Sequence, residues 1–282
     1  MSLSELFSSA AKRLLQQYRA FSLIRRTRGF KARSGFNLPD VQHPDWQLIT
    51  VVTLSLVALG FLFVDTAAIH WKGTISGETY SLFRSYTNIA KSEVMLVPAG
   101  LVILALGLIP WNRLDKASVA TLAHVQMFGL YVFLAVAGSG ISNNIIKMAI
   151  GRARPRYFDQ FGATHFDAPG FSSGFQSFPS GHSATAGAMA IIFILLFPRL
   201  KWLWLACAFW IGVSRVVVGA HYPSDVVAGL AYGASFAWLL ALWFANRRLL
   251  FRSEAGLIRI PKTSGLSLGK LHKALHMLGQ KA

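Results

Sequence analysis

Six long apolar runs, parted by short polar connections, dominate the chain: residues 48–71, 93–111, 118–146, 182–197, 202–218 and 226–245. Each approaches the ~20 residues that a bilayer-crossing helix needs. The fourth is the shortest and needs its flanking residues to reach across. Trp71, Trp111, Trp202 and Trp204 stand at run ends, where interfacial aromatics belong. The pattern predicts an all-α, polytopic membrane bundle of six transmembrane helices over 47–245. A basic segment, 1–46, precedes it and a basic tail, 246–282, follows.

Composition agrees. Of 282 residues, 54% are hydrophobic and 14% charged, and the mean hydropathy is +0.46, which excludes an ordinary soluble domain. The net charge of +17 could suggest nucleic acid. The basic residues flank apolar runs, however, so anionic lipid headgroups are the expected partners and nucleic acid is not. Twenty of the 28 lysines and arginines fall in the two ends and the connections after runs two and four. By the positive-inside rule both termini are cytoplasmic, and the other connections face the exterior, or the periplasm of a bacterial inner membrane. The first 46 residues lack a cleavable signal core, so run one is expected to serve as the targeting signal. Leu6, Phe7, Ala10, Leu14, Tyr18 and Phe21 recur at helical spacing. That fits an interfacial amphipathic helix, a disordered basic leader or an Arg-rich transit peptide; the tail's Leu266, Leu271, Leu275 and Leu278 leave the same choice between helix and disorder. The single cysteine, Cys207, lies in an apolar run and reads as a small buried hydrophobe.

The candidate chemistry sits in three segments on the expected outer side: KMAIGRARP (147–155), PSGH (179–182) and SRVVVGAHYPSD (214–225). Cations at membrane depth are costly unless a function or a partner keeps them there. Arg154 and Arg215 offer forked donors suited to phosphate, and Lys147 a point charge. Lys147 and Arg154, seven apart, share a face if the third helix runs on that far. Ser180-Gly181-His182 is expected to open the fourth helix, where free backbone N–H groups make an anion site. His221 precedes Pro223, an early helix position. Asp225 follows within reach of one His221 ring nitrogen, leaving the other free to attack phosphorus.

The three segments match the pattern K-x6-RP, PSGH, SR-x5-H-x3-D, and on these residues the chain resembles the type 2 phosphatidic acid phosphatase superfamily, to which vanadium haloperoxidases are related. The resemblance covers residues 48–245. It implies a lipid phosphate phosphatase with His221 as nucleophile, Asp225 orienting it and His182 protonating the leaving oxygen. It further implies that Lys147, Arg154, Arg215, Ser180 and the Gly181 backbone cradle the phosphoryl group without a metal or other cofactor. Undecaprenyl diphosphate, phosphatidylglycerophosphate, phosphatidate and lipid A stay open as substrates. A phosphotransferase, a haloperoxidase and a non-catalytic lipid-binding or transport protein remain as alternatives, and the oligomeric state is not legible.

Outside the motifs, Arg152 and Arg156 read as interface anchors. His70, His124, His165, His272 and His276 read as structural, and Asp159 and Asp167 as solvated. Glu93 either lines a headgroup site or caps a helix. The connection 156–178 is rich in aromatics: Tyr157, Phe158, Phe161, Phe166, Phe171, Phe175 and Phe178. They either shape an interfacial route for a lipid or pack on their own helices. On the first reading, replacing Phe171 and Phe175 spares a soluble ester and weakens lipid turnover.

Overall fold

The structure, a computed structural model, describes residues 44–109, 111, 114–254 and 257–260, with isolated helical positions at 8, 11, 12, 15, 269, 272 and 276. The amphipathic readings of the two ends lie outside the described residues. The helices are α1 (Trp46–Leu59), α2 (Asp65–Lys72), α3 (Gly77–Tyr86), α4 (Glu93–Leu108), α5 (Lys116–Ile150), α6 (Phe158–Phe161), α7 (Gly181–Leu196), α8 (Lys201–Val217) and α9 (Pro223–Asn246). A single π-helical segment, Gly60–Val64, joins α1 to α2, so the two run on as one apolar stretch. Asp45 caps α1 by accepting from the Leu48 N–H at 2.9 Å, and Ser76 caps α3 through the Thr79 N–H at 3.3 Å.

Among the described residues, five helical stretches are long and apolar enough to cross a membrane: Trp46–Lys72, Gly77–Leu108, Lys116–Ile150, Pro198–Val217 and Pro223–Asn246. The protein is an integral membrane protein of predominantly helical fold. The fourth apolar run forms α7, whose 16 residues extend about 24 Å at 1.5 Å per residue, short of the ~30 Å hydrocarbon core. Ten of its residues are buried. Three local features depart from the sequence reading. α3 was not expected. The tail opens with an antiparallel hairpin, β1 (Arg252–Glu254) on β2 (Leu257–Arg259), pairing Ser253 with Ile258. Trp111 is buried and donates its Nε1–H to the Leu106 carbonyl at 2.9 Å, so it is a core residue and not an interfacial anchor.

The chain divides into two compact units. One comprises the described residues of 97–133 and 241–260. Its core holds Leu106, Trp111, Val119 and Leu122, and Tyr131 meets Phe244 and Phe251 edge-on at 5.6 and 4.8 Å. The other joins 42–96 to 134–240 and contains all three motifs. There α7 and α9 approach backbone to backbone. A Cβ on Gly233 would collide with the Ala184 carbonyl, one on Gly229 with the Ser180 carbonyl, and one on Gly187 with the Leu230 carbonyl. Gly229 and Gly233 form the small-xxx-small spacing that lets membrane helices pack closely. Ala186, Ala190, Ala208 and Ile211 seal α7 against α8.

Candidate active site

The first motif straddles a helix end. Lys147, in the last turn of α5, is buried. Gly151 then takes φ +68°, donates to the Lys147 carbonyl at 2.9 Å and stops the helix, as a left-handed glycine does. A Cβ there would strike the Asp167 carbonyl. From this point the chain is extended: Ala153 N–H reaches the His165 carbonyl at 3.0 Å, Arg154 N–H the Gly174 carbonyl at 2.9 Å, and Ser177 N–H the Arg152 carbonyl at 3.0 Å. Lys147 and Arg154 therefore do not share a helix face; a strand-like crossing, not two helical turns, brings Arg154 to the site.

The second motif opens α7. Ser180 is its N-cap, with Oγ accepting from the Ser183 N–H at 3.4 Å and from the Ser183 hydroxyl at 2.9 Å. Gly181 and His182 occupy the first turn. Lys147 crosses over Gly181: a Cβ built there would lie 3.6 Å from Lys147 Nζ and 3.8 Å from Asn143 Nδ2. Asn143, one turn before Lys147, also donates to the Pro179 carbonyl at 3.3 Å.

The third motif ends α8 and begins α9. Arg215 donates from Nη1 to Thr87 Oγ1 at 2.8 Å. Gly219 (φ +65°) turns the chain so that the Ala220 and His221 N–H groups return to the Arg215 carbonyl at 3.0 and 3.3 Å. His221 is buried, and its Nδ1 lies 3.5 Å from Asp225 Oδ2. That is a contact rather than a made hydrogen bond, and catalytic contacts commonly tighten only around substrate. Asp225 Oδ2 also accepts from Ser177 Oγ at 2.6 Å and from the Tyr222 N–H at 2.9 Å.

Electrostatically these groups form one field. Lys147 feels Arg154, Arg215 and Asp225, and His182 feels Arg215, Lys147, Glu93 and Lys91. Among the described residues neither Lys147, Arg154 nor Arg215 makes a salt bridge, and the Nε atoms of both arginines are buried without a hydrogen-bond partner. Like charges gathered in a partly dry place, with donors unused, are suited to an anion. Burial, reinforced by Arg156, lowers the Arg154 guanidinium from its ordinary value, against the pull of Asp225. His221 is pushed down to about 3, chiefly by burial; Asp225 opposes this, while Lys147 and Arg154 reinforce it. The imidazole is thus neutral near pH 7. Among the described residues no group of three or more His, Cys, Asp or Glu could hold a metal ion.

One reading is corrected. Arg152 is not an interface anchor: it is fully buried and ion-paired with both Asp65, at 2.7 Å, and Asp225. The Phe61 and Tyr222 rings cover its faces, 4.0 and 4.2 Å from Cζ. Asp65, Ser177, Ser224, Thr87 and Asn143 join the site without having been singled out. Asp65 carried a readable signal, as an isolated carboxylate inside an apolar run; the hydroxyls and the amide carried none.

Sequence comparison places these residues among known proteins. The profile of the PAP2 superfamily matches residues 128–249. A lipid A 1-phosphatase from Rhizobium johnstonii is 41% identical over 237 residues, covering 83% of this chain and 93% of that protein. A lipid A 1-phosphatase from Rhizobium etli is 39% identical over 209 residues, covering 73% of this chain and 88% of that protein. Among solved structures, a transmembrane PAP2-type phosphatidylglycerolphosphate phosphatase from Bacillus subtilis superposes with a TM-score of 0.48 at 22% identity, over 69% of this chain and 92% of that one.

Proposed function

The chain belongs to the PAP2 superfamily of membrane lipid phosphatases, and from that premise we propose that it removes the 1-phosphate of lipid A through a phosphohistidine on His221. The substrate is proposed from the Rhizobium relatives, whose near-complete length this chain covers. The observation that carries the chemistry is the grouping of Lys147, Arg154 and Arg215, unpaired with carboxylates, around a buried neutral histidine that faces Asp225.

The phosphate oxygens take the unused arginine donors, the Lys147 ammonium and the backbone N–H groups at the start of α7. With Nδ1 turned to Asp225, His221 Nε2 attacks phosphorus. The P–O bond to the lipid breaks, and His182 gives the leaving oxygen its proton. Water then attacks the phosphohistidine with His182 as base, which frees inorganic phosphate and restores His221. Asp225 offsets the positive charge that the ring gains on phosphorylation. No step calls for a metal. The reaction faces away from the cytoplasm and both termini lie inside; the lysine and arginine distribution supports this, with α7 counted as the sixth crossing.

The test is phosphate release from lipid A, phosphatidylglycerophosphate and undecaprenyl diphosphate in detergent, by wild type and His221→Ala, with and without EDTA. A rapid acid-free quench then seeks a phosphoryl label on His221. Release from lipid A that needs His221 and ignores EDTA supports the reading. Faster turnover of another lipid would reassign the substrate, and turnover without a histidine label would reject the mechanism.

A further inference from the structure

We propose that Asp65, a carboxylate of the first apolar stretch, is a positioning residue for this reaction: acting through Arg152 and Ser224, it keeps Asp225 aimed at His221 and leaves a net negative charge beside that ring. The inference rests on the phosphohistidine reading above.

Asp65 follows directly on the π-helical segment Gly60–Val64. Such segments are rare and recur at functional sites. Within that segment Gly60 packs on Ser224, where a Cβ would lie 2.8 Å from Ser224 Cβ. Asp65 is 0% exposed inside an otherwise apolar stretch, a costly place for a carboxylate. Both its oxygens are used. Oδ1 accepts from the Ser224 N–H at 3.0 Å, and Oδ2 accepts from Ser224 Oγ at 2.5 Å and Arg152 Nη2 at 2.7 Å. The Ser224 N–H is one of the unpaired donors at the start of α9. Asp65 therefore caps, from another helix, the very turn that carries Asp225.

Arg152 links the two carboxylates. Its Nε and Nη2 donate to the Ala163 carbonyl at 3.1 and 2.6 Å, its Nη2 also to Asp65, and its Nη1 to Ser224 Oγ at 2.7 Å and to Asp225 Oδ1. Those are five bonds for the five N–H groups that a guanidinium has. One cation is thus divided between two anions, and the trio keeps a net charge of −1. Were Asp65 neutral, Arg152 would cancel Asp225 alone and the trio would carry no charge. The remaining negative charge lies beside His221, where phosphorylation makes the ring cationic. Nothing in this arrangement touches the phosphate, so its effect belongs on the chemical step and not on substrate affinity.

The experiment compares wild type, Asp65→Asn, Asp65→Glu and Ser224→Ala in detergent. It measures kcat and KM on the lipid phosphate, the rate of His221 phosphorylation after rapid mixing, and the melting temperature. Asp65→Asn is expected to lower kcat and the phosphorylation rate together by about 10- to 100-fold, the usual cost of losing an outer-shell partner, with KM within about twofold. Asp65→Glu, which keeps the charge, is expected to recover part of that loss. Ser224→Ala keeps every charge and is expected to slow phosphorylation less than Asp65→Asn does. A folded Asp65→Asn protein with wild-type phosphorylation kinetics overturns the proposal. So does a loss borne by KM alone. If Asp65→Asn does not fold, an unchanged phosphorylation rate in folded Ser224→Ala overturns it instead. A wild type that turns over substrate without phosphohistidine refutes the underlying reading and this inference with it, an outcome distinct from variants that leave an observed phosphohistidine step untouched.

Discussion

The Ser180 N–H donates to the Asp225 main-chain carbonyl at 2.9 Å, so a single backbone bond ties the start of α7 to the first turn of α9. It can form because glycines let the two helices approach so closely. Gly233 is the tightest point, since any side chain there meets the Ala184 backbone, which has no rotamer to swing aside. Gly233→Val is expected to cost about 1–3 kcal/mol or more, as overpacked cores do, and to lower activity by parting the two motifs. A melting curve in detergent, read beside turnover, checks both effects; a Gly233→Val protein as stable as wild type would show that the helices tolerate separation.

Arg152 and Arg156 look alike in the sequence, four residues apart, and the structure separates them. Arg152 balances two buried carboxylates, and removing one member of such a group leaves uncompensated charge. Arg152→Gln is therefore expected to cost about 3–5 kcal/mol. Arg156, which lies over the Tyr157 ring at 4.9 Å, is expected to cost less than about 1 kcal/mol on replacement by Gln, in keeping with an exposed cation–π contact. Unfolding midpoints of the two variants in one detergent decide it, and equal midpoints would contradict the buried network.

The contrast shows what a one-dimensional reading reaches. Apolar run lengths reveal the helices of the membrane domain because a bilayer imposes a minimum length on each. The motif residues are legible because cations and histidines beside apolar runs are chemically expensive. Arg152 was visible but misassigned, since its burial depends on Asp65, 87 residues earlier, and on ring faces from Phe61 and Tyr222. The course of Arg154 was missed because one left-handed glycine, Gly151, overrides the helical periodicity on which the face argument relied. Ser177 and Ser224 carry no pattern at all: a serine declares its role only once its partners are placed.

His221 links the site to pH. Its pKa falls to about 3 in the folded protein, with burial the first cause, against an ordinary value near 6.5. Between those values the unfolded chain binds more protons at this position than the folded one does. Stability contributed by the neutral buried ring is accordingly intact above about pH 6.5 and is lost as pH falls toward 3, by up to about 1.4 kcal/mol per pH unit. In His221→Asn this share of the slope should disappear, leaving a shallower curve. Melting temperatures of both proteins from pH 7.5 to 4.5 test this; parallel curves would mean that the ring titrates normally. The same depression predicts that the acid limb of kcat/KM does not arise from His221 near pH 6.5.

Phe171 and Phe175, four residues apart in one connection, have different surroundings and should respond differently. Phe171 is 75% exposed, in a loop of a membrane protein where an exposed aromatic ring favours the interface. Phe175 stacks on Tyr157 at 5.9 Å and meets Phe161 and His165 at 5.8 and 6.0 Å, while the carbonyl of Gly174 beside it holds the Arg154 backbone. The earlier expectation that both substitutions would act alike therefore divides. Phe171→Ser should leave hydrolysis of a small soluble phosphate ester unchanged and reduce lipid turnover several-fold, through KM, because only a lipid is presented from the bilayer surface. Phe175→Ser should reduce both, since it loosens the strand-like crossing that delivers Arg154. Parallel assays on the soluble ester and on micellar lipid separate the two, and a Phe171→Ser variant equally impaired on both would place its ring in packing rather than at the membrane.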